Sequence, residues 1–252
     1  MARNSLKNVA RLINSAQNEQ PIEKAFLSDL KRSIELTDQK YARKPSQTYK
    51  PSSMKCIRNM YYAVTGKEPD PSETSYCLIG ICNAGTDAHV RIQDAVNGMK
   101  DNGMDCEYVD VAEYVKSRGL DYLEIKERNA SGTETKLYHK YLNISFMCDG
   151  IIKYLGKYYI LELKTENISK WGQRKDVNPD HYNQAIAYSL SLGIEEVMFV
   201  YICRDNSDMK SYLFKVTDDM RNELVDKINT LEIKKSALTS QLHTDLESDK
   251  SQ

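Results

Sequence analysis

The sequence lacks the features that mark several protein classes. No uninterrupted apolar stretch approaches the roughly 20 residues a membrane-spanning helix requires, so no membrane segment is expected. The opening MARNSLKNVARL has no apolar core of the kind a secretory signal carries. Six cysteines are present (Cys56, Cys77, Cys82, Cys106, Cys148 and Cys203), and none stands in a CxxC pair. Cys77 and Cys82 have no matching Cys/His pair downstream, so a zinc site is not expected. Reduced thiols in a cytoplasmic protein are the expectation. There is no excess of either charge: 35 Lys and Arg stand against 36 Asp and Glu, for a net charge of -1. That excludes a globally basic coat for nucleic acid but leaves room for a local basic groove, because a balanced total can hide segregation. Internal repeats and low-complexity tracts are absent. What is present is a chain of 252 residues, 40% hydrophobic and 28% charged. That composition suits a globular protein with one medium domain and additions.

Apolar spacing predicts helices over 4–14 and 21–37, with Pro21 suited to a first turn. The stretch TDQKYARKPSQTYKPSS then reads as a linker or exposed arm rather than core. A helix capped by Ser52 or Ser53 should run to Gly66, and another from Tyr76 to Met99 on a stripe of Leu78, Ile81, Ala84, Ala88, Ile92 and Val96. A short helix is expected over 111–118, and strand-like runs begin after Gly119. The runs NISFMCDGIIKYL and GKYYILELKTE read as a hairpin turning at Leu155-Gly156. A polar loop, ENISKWGQRKDVNPD, separates it from a helix that starts at Asn178 or Pro179 and stops at Gly193. EEVMFVYICR reads as a buried strand, with SYLFKVT as its hairpin partner. From Asp218 the chain is helical. Its Leu224, Ile228, Leu231, Leu238 and Leu242 suit either packing on the domain or a contact with a second copy or protein partner. The organisation expected is a helical extension and basic linker over 1–50, an α/β core over 51–217 and a C-terminal helix over 218–252. In the core, a mixed central sheet is flanked by helices.

The hairpin carries the chemistry. A turn centred on Leu155-Gly156 sets Tyr154 opposite Lys157 and Asp149 opposite Glu162. Directly opposed side chains share a face with Cβ atoms about 5 Å apart, and Lys164, two residues beyond Glu162, joins that face. The other face carries Ile152, Tyr154, Tyr159, Leu161 and Leu163. Two carboxylates this close repel unless a cation intervenes, and magnesium or manganese suits carboxylate oxygens. Such an ion polarises a phosphoryl oxygen and activates water, while an adjacent lysine positions the water and offsets developing charge. E-x-K alone is uninformative, since the chain holds it at Glu124, Glu134, Glu162 and Glu232. Only the Glu162 copy lies in a strand with an acid across a hairpin. The plainer reading is a solvated edge hairpin with surface charges.

Four pieces in order resemble the PD-(D/E)XK nuclease superfamily in its RecB-like branch. They are G85-T-D-A-H89, D149-G, E162-L-K164 and Q184-A-I-A-Y188, over roughly Pro51 to Val216. The resemblance implies a restriction-endonuclease-like core. It implies His89, Asp149, Glu162 and the Leu163 carbonyl as ligands of Mg2+ or Mn2+, and Lys164 as the catalytic lysine. Gln184 and Tyr188 would support the site and contact the DNA backbone. Their spacing of four agrees with one helix face. C56-I-R-N-M-Y-Y is similar to the N-terminal motif of CRISPR-associated RecB-like nucleases, some of which hold an iron–sulfur cluster. Only Cys203 follows Tyr188, so a cluster of that kind is not expected here. Arg58 suits either a phosphate or an acidic core partner.

A nuclease needs positive charge near its acids. Lys170, Trp171, Arg174 and Lys175 offer a basic loop holding the only Trp of the chain. Trp171 suits either stacking on an unpaired base or inward packing. Lys40, Arg43, Lys44 and Lys50 are a second basic candidate. The expected activity is metal-dependent hydrolysis of DNA at linear or single-stranded ends, exonucleolytic rather than endonucleolytic. The resemblance suggests recombination, repair or phage replication in a bacterial or phage-infected cytoplasm. The alternative is a non-catalytic DNA-binding scaffold that recruits partners through its terminal helices.

Overall fold

The computed structural model describes residues 21–40, 46–66, 74–128 and 134–249, with side chains up to residue 237. The helix expected over 4–14, and Arg43 and Lys44, lie outside the described residues. The chain divides into two compact units, one of Met1–Arg43 with Ser72–Cys82 and one of Lys44–Pro71 with Asn83–Gln252. In the smaller unit, α1 (Ile22–Lys40) buries no residue. Glu35 accepts the backbone N–H of Tyr76 at 3.0 Å, and Lys31 lies over the Tyr76 ring.

The larger unit is mixed α/β, as the patterning predicts. Its main sheet has the order β1-β5-β6-β7-β8: Cys106–Val109, Gly150–Tyr154, Lys157–Glu166, Glu196–Cys203 and Met209–Lys215. β6 and β7 are parallel, and every other pair in this sheet is antiparallel. A smaller antiparallel sheet holds β2 (Leu123–Arg128), β3 (Thr135–His139) and β4 (Ile144–Phe146). The remaining helices are α2 (Ile57–Thr65), α3 (Tyr76–Asn97), α4 (Val111–Ser117), α5 (Ile168–Gln173), α6 (Tyr182–Leu192) and α7 (Asp218–Asp249).

Strand alternation explains the layering. Ile151, Ile160, Val197, Phe199 and Tyr201 point into the larger core with Ala185, Ala187 and Tyr188 of α6 and Leu224, Ile228 and Leu231 of α7. Ile152, Leu161, Leu163 and Ile202 point the other way, against Ala88, Ile92 and Val96 of α3. A sheet covered on both faces buries nearly continuous apolar strands. Leu224, Ile228 and Leu231 of that stripe pack on the domain, while the side chains of Leu238 and Leu242 lie outside the described residues. The hairpin register pairs Tyr154 with Lys157 and Gly150 with Leu161, as expected. Its acid-bearing face is not a solvated one, because it also carries the fully buried Ile151 and Ile160.

Several expectations are corrected. The stretch read as an exposed arm contributes to the core: Tyr49 is 0% exposed, its backbone bridges to Ile144, and its hydroxyl donates to Glu232 at 2.8 Å. Neither Ser52 nor Ser53 caps α2. Ser53 turns back to the Lys50 carbonyl within a short 3-10 turn, and Cys56 occupies the N-cap. On α3, Leu78 and Ile81 are exposed, so the buried stripe is confined to its second half. NISFM and GIIKY are separate strands in different sheets, interrupted at Met147–Asp149. The loop after β6 contains α5, whose Lys170 N–H is capped by the Asn167 side chain. Among the described residues no helix is long and apolar enough to cross a membrane.

Candidate active site

The break before β5 places the first acid. Asp149 lies one residue ahead of the strand, free to turn its carboxylate across to β6. Its Oδ2 accepts the Leu163 N–H at 2.7 Å, and its Oδ1 lies 3.2 Å from His89 Nδ1 on α3. Its carbonyl accepts Gln93 Nε2 at 2.9 Å and the Tyr108 hydroxyl at 3.0 Å. Gly150 is required here by space: a Cβ at that position would meet the Tyr108 ring at 2.1 Å.

Glu162 is only 3% exposed. Its Oε1 accepts Lys164 Nζ at 2.5 Å and Gln184 Nε2 at 2.7 Å. Gln184 reaches in from α6, and its Oε1 accepts a further proton of Lys164 at 3.0 Å. One turn on, the Tyr188 hydroxyl accepts from Gln184 Nε2 at 2.8 Å and donates to the Met147 carbonyl at 3.1 Å. Gln184 thus ties the acid, the lysine and the chain break into one network. The four motifs that sequence order alone connected meet as two linked clusters.

Burial, and then the negative Asp149, push the Glu162 carboxyl up, against the pull of Lys164 and His89. Burial draws His89 down, but its hydrogen bond to Asp149 and that carboxylate's charge outweigh it and leave the imidazole raised. The neighbouring Cys148 thiol is pushed up to about 12 by burial, which removes it as a nucleophile.

The donor chemistry, two carboxylates and an imidazole, suits a hard divalent cation. The negative Asp149 is near enough to raise the Glu162 carboxyl, a repulsion that a bound cation would relieve. Yet among the described residues no group of three or more His, Cys, Asp or Glu stands arranged to hold a metal ion. His89 closes on Asp149, while Lys164 and Gln184 occupy Glu162.

The basic residues separate by surroundings. Lys170 and Lys175 are exposed. Trp171 packs inward, donating its indole N–H to the Tyr201 carbonyl at 3.3 Å, and Lys210 lies over its ring at 4.1 Å. That answers the open choice for Trp171 in favour of packing. Arg174 forks onto both oxygens of Glu166 and covers the Tyr201 ring. Arg58 lies at the surface against Tyr62 of its own helix, and among the described residues no acidic core partner engages it. Lys50 is exposed.

Sequence reasoning missed Gln93 and Tyr108, which hold the Asp149 backbone. Gln93 had a signal, standing four residues after His89 on one helix face. Tyr108 had none, since only the β1–β5 pairing brings it there.

No protein-family model matches the chain, and no protein of curated function matches its sequence. Solved structures do. A structure titled SSO0001 is 17% identical, with 82% of this chain and 86% of that one covered and a TM-score of 0.43. LHK-Exo in complex with dAMP is 12% identical over 80% and 94% of the two chains, with a TM-score of 0.46. An alkaline exonuclease (LHK-Exo) from Laribacter hongkongensis is 11% identical over 81% and 95%, with a TM-score of 0.42.

Proposed function

We propose that the chain is a divalent-metal-dependent nuclease that hydrolyses DNA phosphodiesters, acting on linear or single-stranded ends as an exonuclease. The observation that carries this reading is the network in which Glu162, Lys164 and Gln184 hold one another, beside Asp149 bonded to the Leu163 N–H of the same strand. A scaffold needs no buried acid beside a lysine, and burying such a group is costly without a use for it.

His89, Asp149, Glu162 and the Leu163 carbonyl would hold Mg2+ or Mn2+. When bound, the ion supplies charge to a phosphoryl oxygen and makes water more acidic. Lys164, held by Glu162 and Gln184, orients water at the phosphorus and offsets negative charge as it develops. Gln184 and Tyr188 keep the lysine and Glu162 in one geometry. His89 and Lys164 must yield their present contacts with the carboxylates when the ion enters.

The test is incubation of linear duplex, circular duplex and single-stranded DNA with magnesium, manganese or a chelator. Linear and single-stranded DNA should be degraded only with metal. Lys164→Ala should lower the rate by roughly 10²–10⁴-fold while leaving the thermal unfolding curve in place. Full activity in the chelator, or in the folded Lys164→Ala protein, removes the mechanism. The closed His89–Asp149 and Lys164–Glu162 contacts favour a second reading, a DNA-binding scaffold on the same core. Binding without turnover under every metal condition would establish that alternative.

A further inference from the structure

Beside Lys164, past the end of β6, lies a cavity of about 220 Å³. It is lined by Lys164, Lys170, His181 and Arg204, with Asn167 and Asn178 between them. That volume is several times the ~30 Å³ share of one water. It falls below the ~300 Å³ at which pockets for drug-sized ligands begin. A group the size of a phosphate fits.

The lining is cationic by construction. The carboxylate that reaches the cavity, Glu166, is already matched by Arg174. The Arg204 backbone N–H is anchored on the Glu166 carbonyl at 2.8 Å, yet its buried side-chain Nε has no hydrogen-bond partner. A buried donor left unsatisfied is costly unless a ligand completes it. Lys170 forms no ion pair among the described residues. Asn167 and Asn178 use their side-chain oxygens to cap the turns they begin, which leaves their amide N–H groups as donors. His181 records the same field: burial, then the cations Lys164 and Arg174, hold its imidazole down at about 4.

We infer that this cavity is a phosphate subsite, in which Arg204 and Lys170 receive the phosphate neighbouring the scissile one on a nucleic-acid strand. The inference rests on the nuclease reading above and adds to it where the strand continues past Lys164. A guanidinium fork and an ammonium bind phosphate as a charge-assisted pair. The anchoring of Arg204 on the strand that carries Lys164 fixes the spacing between the two phosphates.

The experiment measures binding of a fluorescein-labelled single-stranded oligonucleotide to the full chain by anisotropy, in chelator, across a range of KCl concentrations. Arg204→Gln and Lys170→Gln should each weaken binding, roughly ten-fold for Arg204, and flatten the log–log salt slope by about 0.7. Lys215→Gln, which removes an exposed charge paired with Glu195, controls for loss of charge alone and should leave the slope unchanged. Arg204→Lys should recover part of the affinity. Inorganic phosphate should compete more weakly against Arg204→Gln than against the unaltered chain. Oligonucleotides with terminal phosphate and with terminal hydroxyl distinguish the phosphate a strand end carries from an internal diester. An internal site leaves the two alike. Preference for the terminal phosphate overturns the internal placement. If Arg204→Gln does not fold, the exposed Lys170→Gln carries the test. Unchanged affinity and slope in folded variants of a chain that binds and cuts DNA overturn the subsite and spare the nuclease. An unaltered chain that neither binds nor cuts any strand overturns both.

Discussion

Gly150 shows how a single atom can hold a site in place. Its missing Cβ lets the Tyr108 ring lie against the backbone, and the Tyr108 hydroxyl then holds the Asp149 carbonyl. Gly150→Ala puts a methyl group into that ring and should cost about 1–3 kcal/mol in urea unfolding. The companion change Tyr108→Ala should recover the part of that cost that comes from the clash with the ring. His181 gives a second expectation, on pH. It stacks on Phe199 and Tyr201, and its Nδ1 lies 2.9 Å from the Tyr201 hydroxyl. Burial and the nearby cations put its folded pKa at about 4, below the ordinary 6.5. The unfolded chain therefore takes up a proton first as pH falls, and stability drops between about pH 6.5 and pH 4. After allowance for solvent screening, the loss should be roughly 1–2 kcal/mol. His181→Gln should flatten that part of the stability–pH curve.

Elements form where local chemistry and long-range packing agree. The β5–β6 turn is an instance of partial disagreement. Leu155 and Gly156 both have positive φ, 49° and 78°, and glycine accepts that while leucine does not. The Leu155 side chain is 67% exposed. Leu155→Asn should raise stability by about 0.5–1 kcal/mol, visible as a higher melting temperature with an unchanged register. α6 is a case of agreement. Asn178 caps the 3-10 turn that leads into it, Gly193 closes it in the left-handed conformation, and its inner face presents Gln184 and Tyr188 together. The helix was legible from its two ends. The break at Met147–Asp149 was not, because its cause is the set of partners that hold that segment from β6, α6 and α3.

Across the larger unit, the C-terminal helix and the segment around Tyr49 behave as parts of the core rather than additions. Tyr49 reaches Glu232, and Lys227 donates to the Met54 carbonyl at 2.6 Å, so residues almost two hundred positions apart close over one another. Ile228 is 2% exposed in that contact. Ile228→Ala should cost about 2–5 kcal/mol in urea unfolding and lower the proposed nuclease activity only as far as it lowers the folded fraction. Loss of activity without loss of stability would mean that α7 serves the site directly.

Period-two alternation and a glycine at the turn were enough to set the β5–β6 register and to put Glu162 and Lys164 on one face of β6. These are short-range constraints, written into neighbouring residues and insensitive to the rest of the fold. Whether that face met water or core, and whether Trp171 and Arg174 turned outward or inward, depended on how α6, β7 and β8 close over it. Trp and Arg carry both apolar and polar surface and satisfy either environment, so their own identity cannot choose. The choice came from groups far along the chain, Tyr201, Lys210 and Glu166, which offered them partners only once the sheet was assembled.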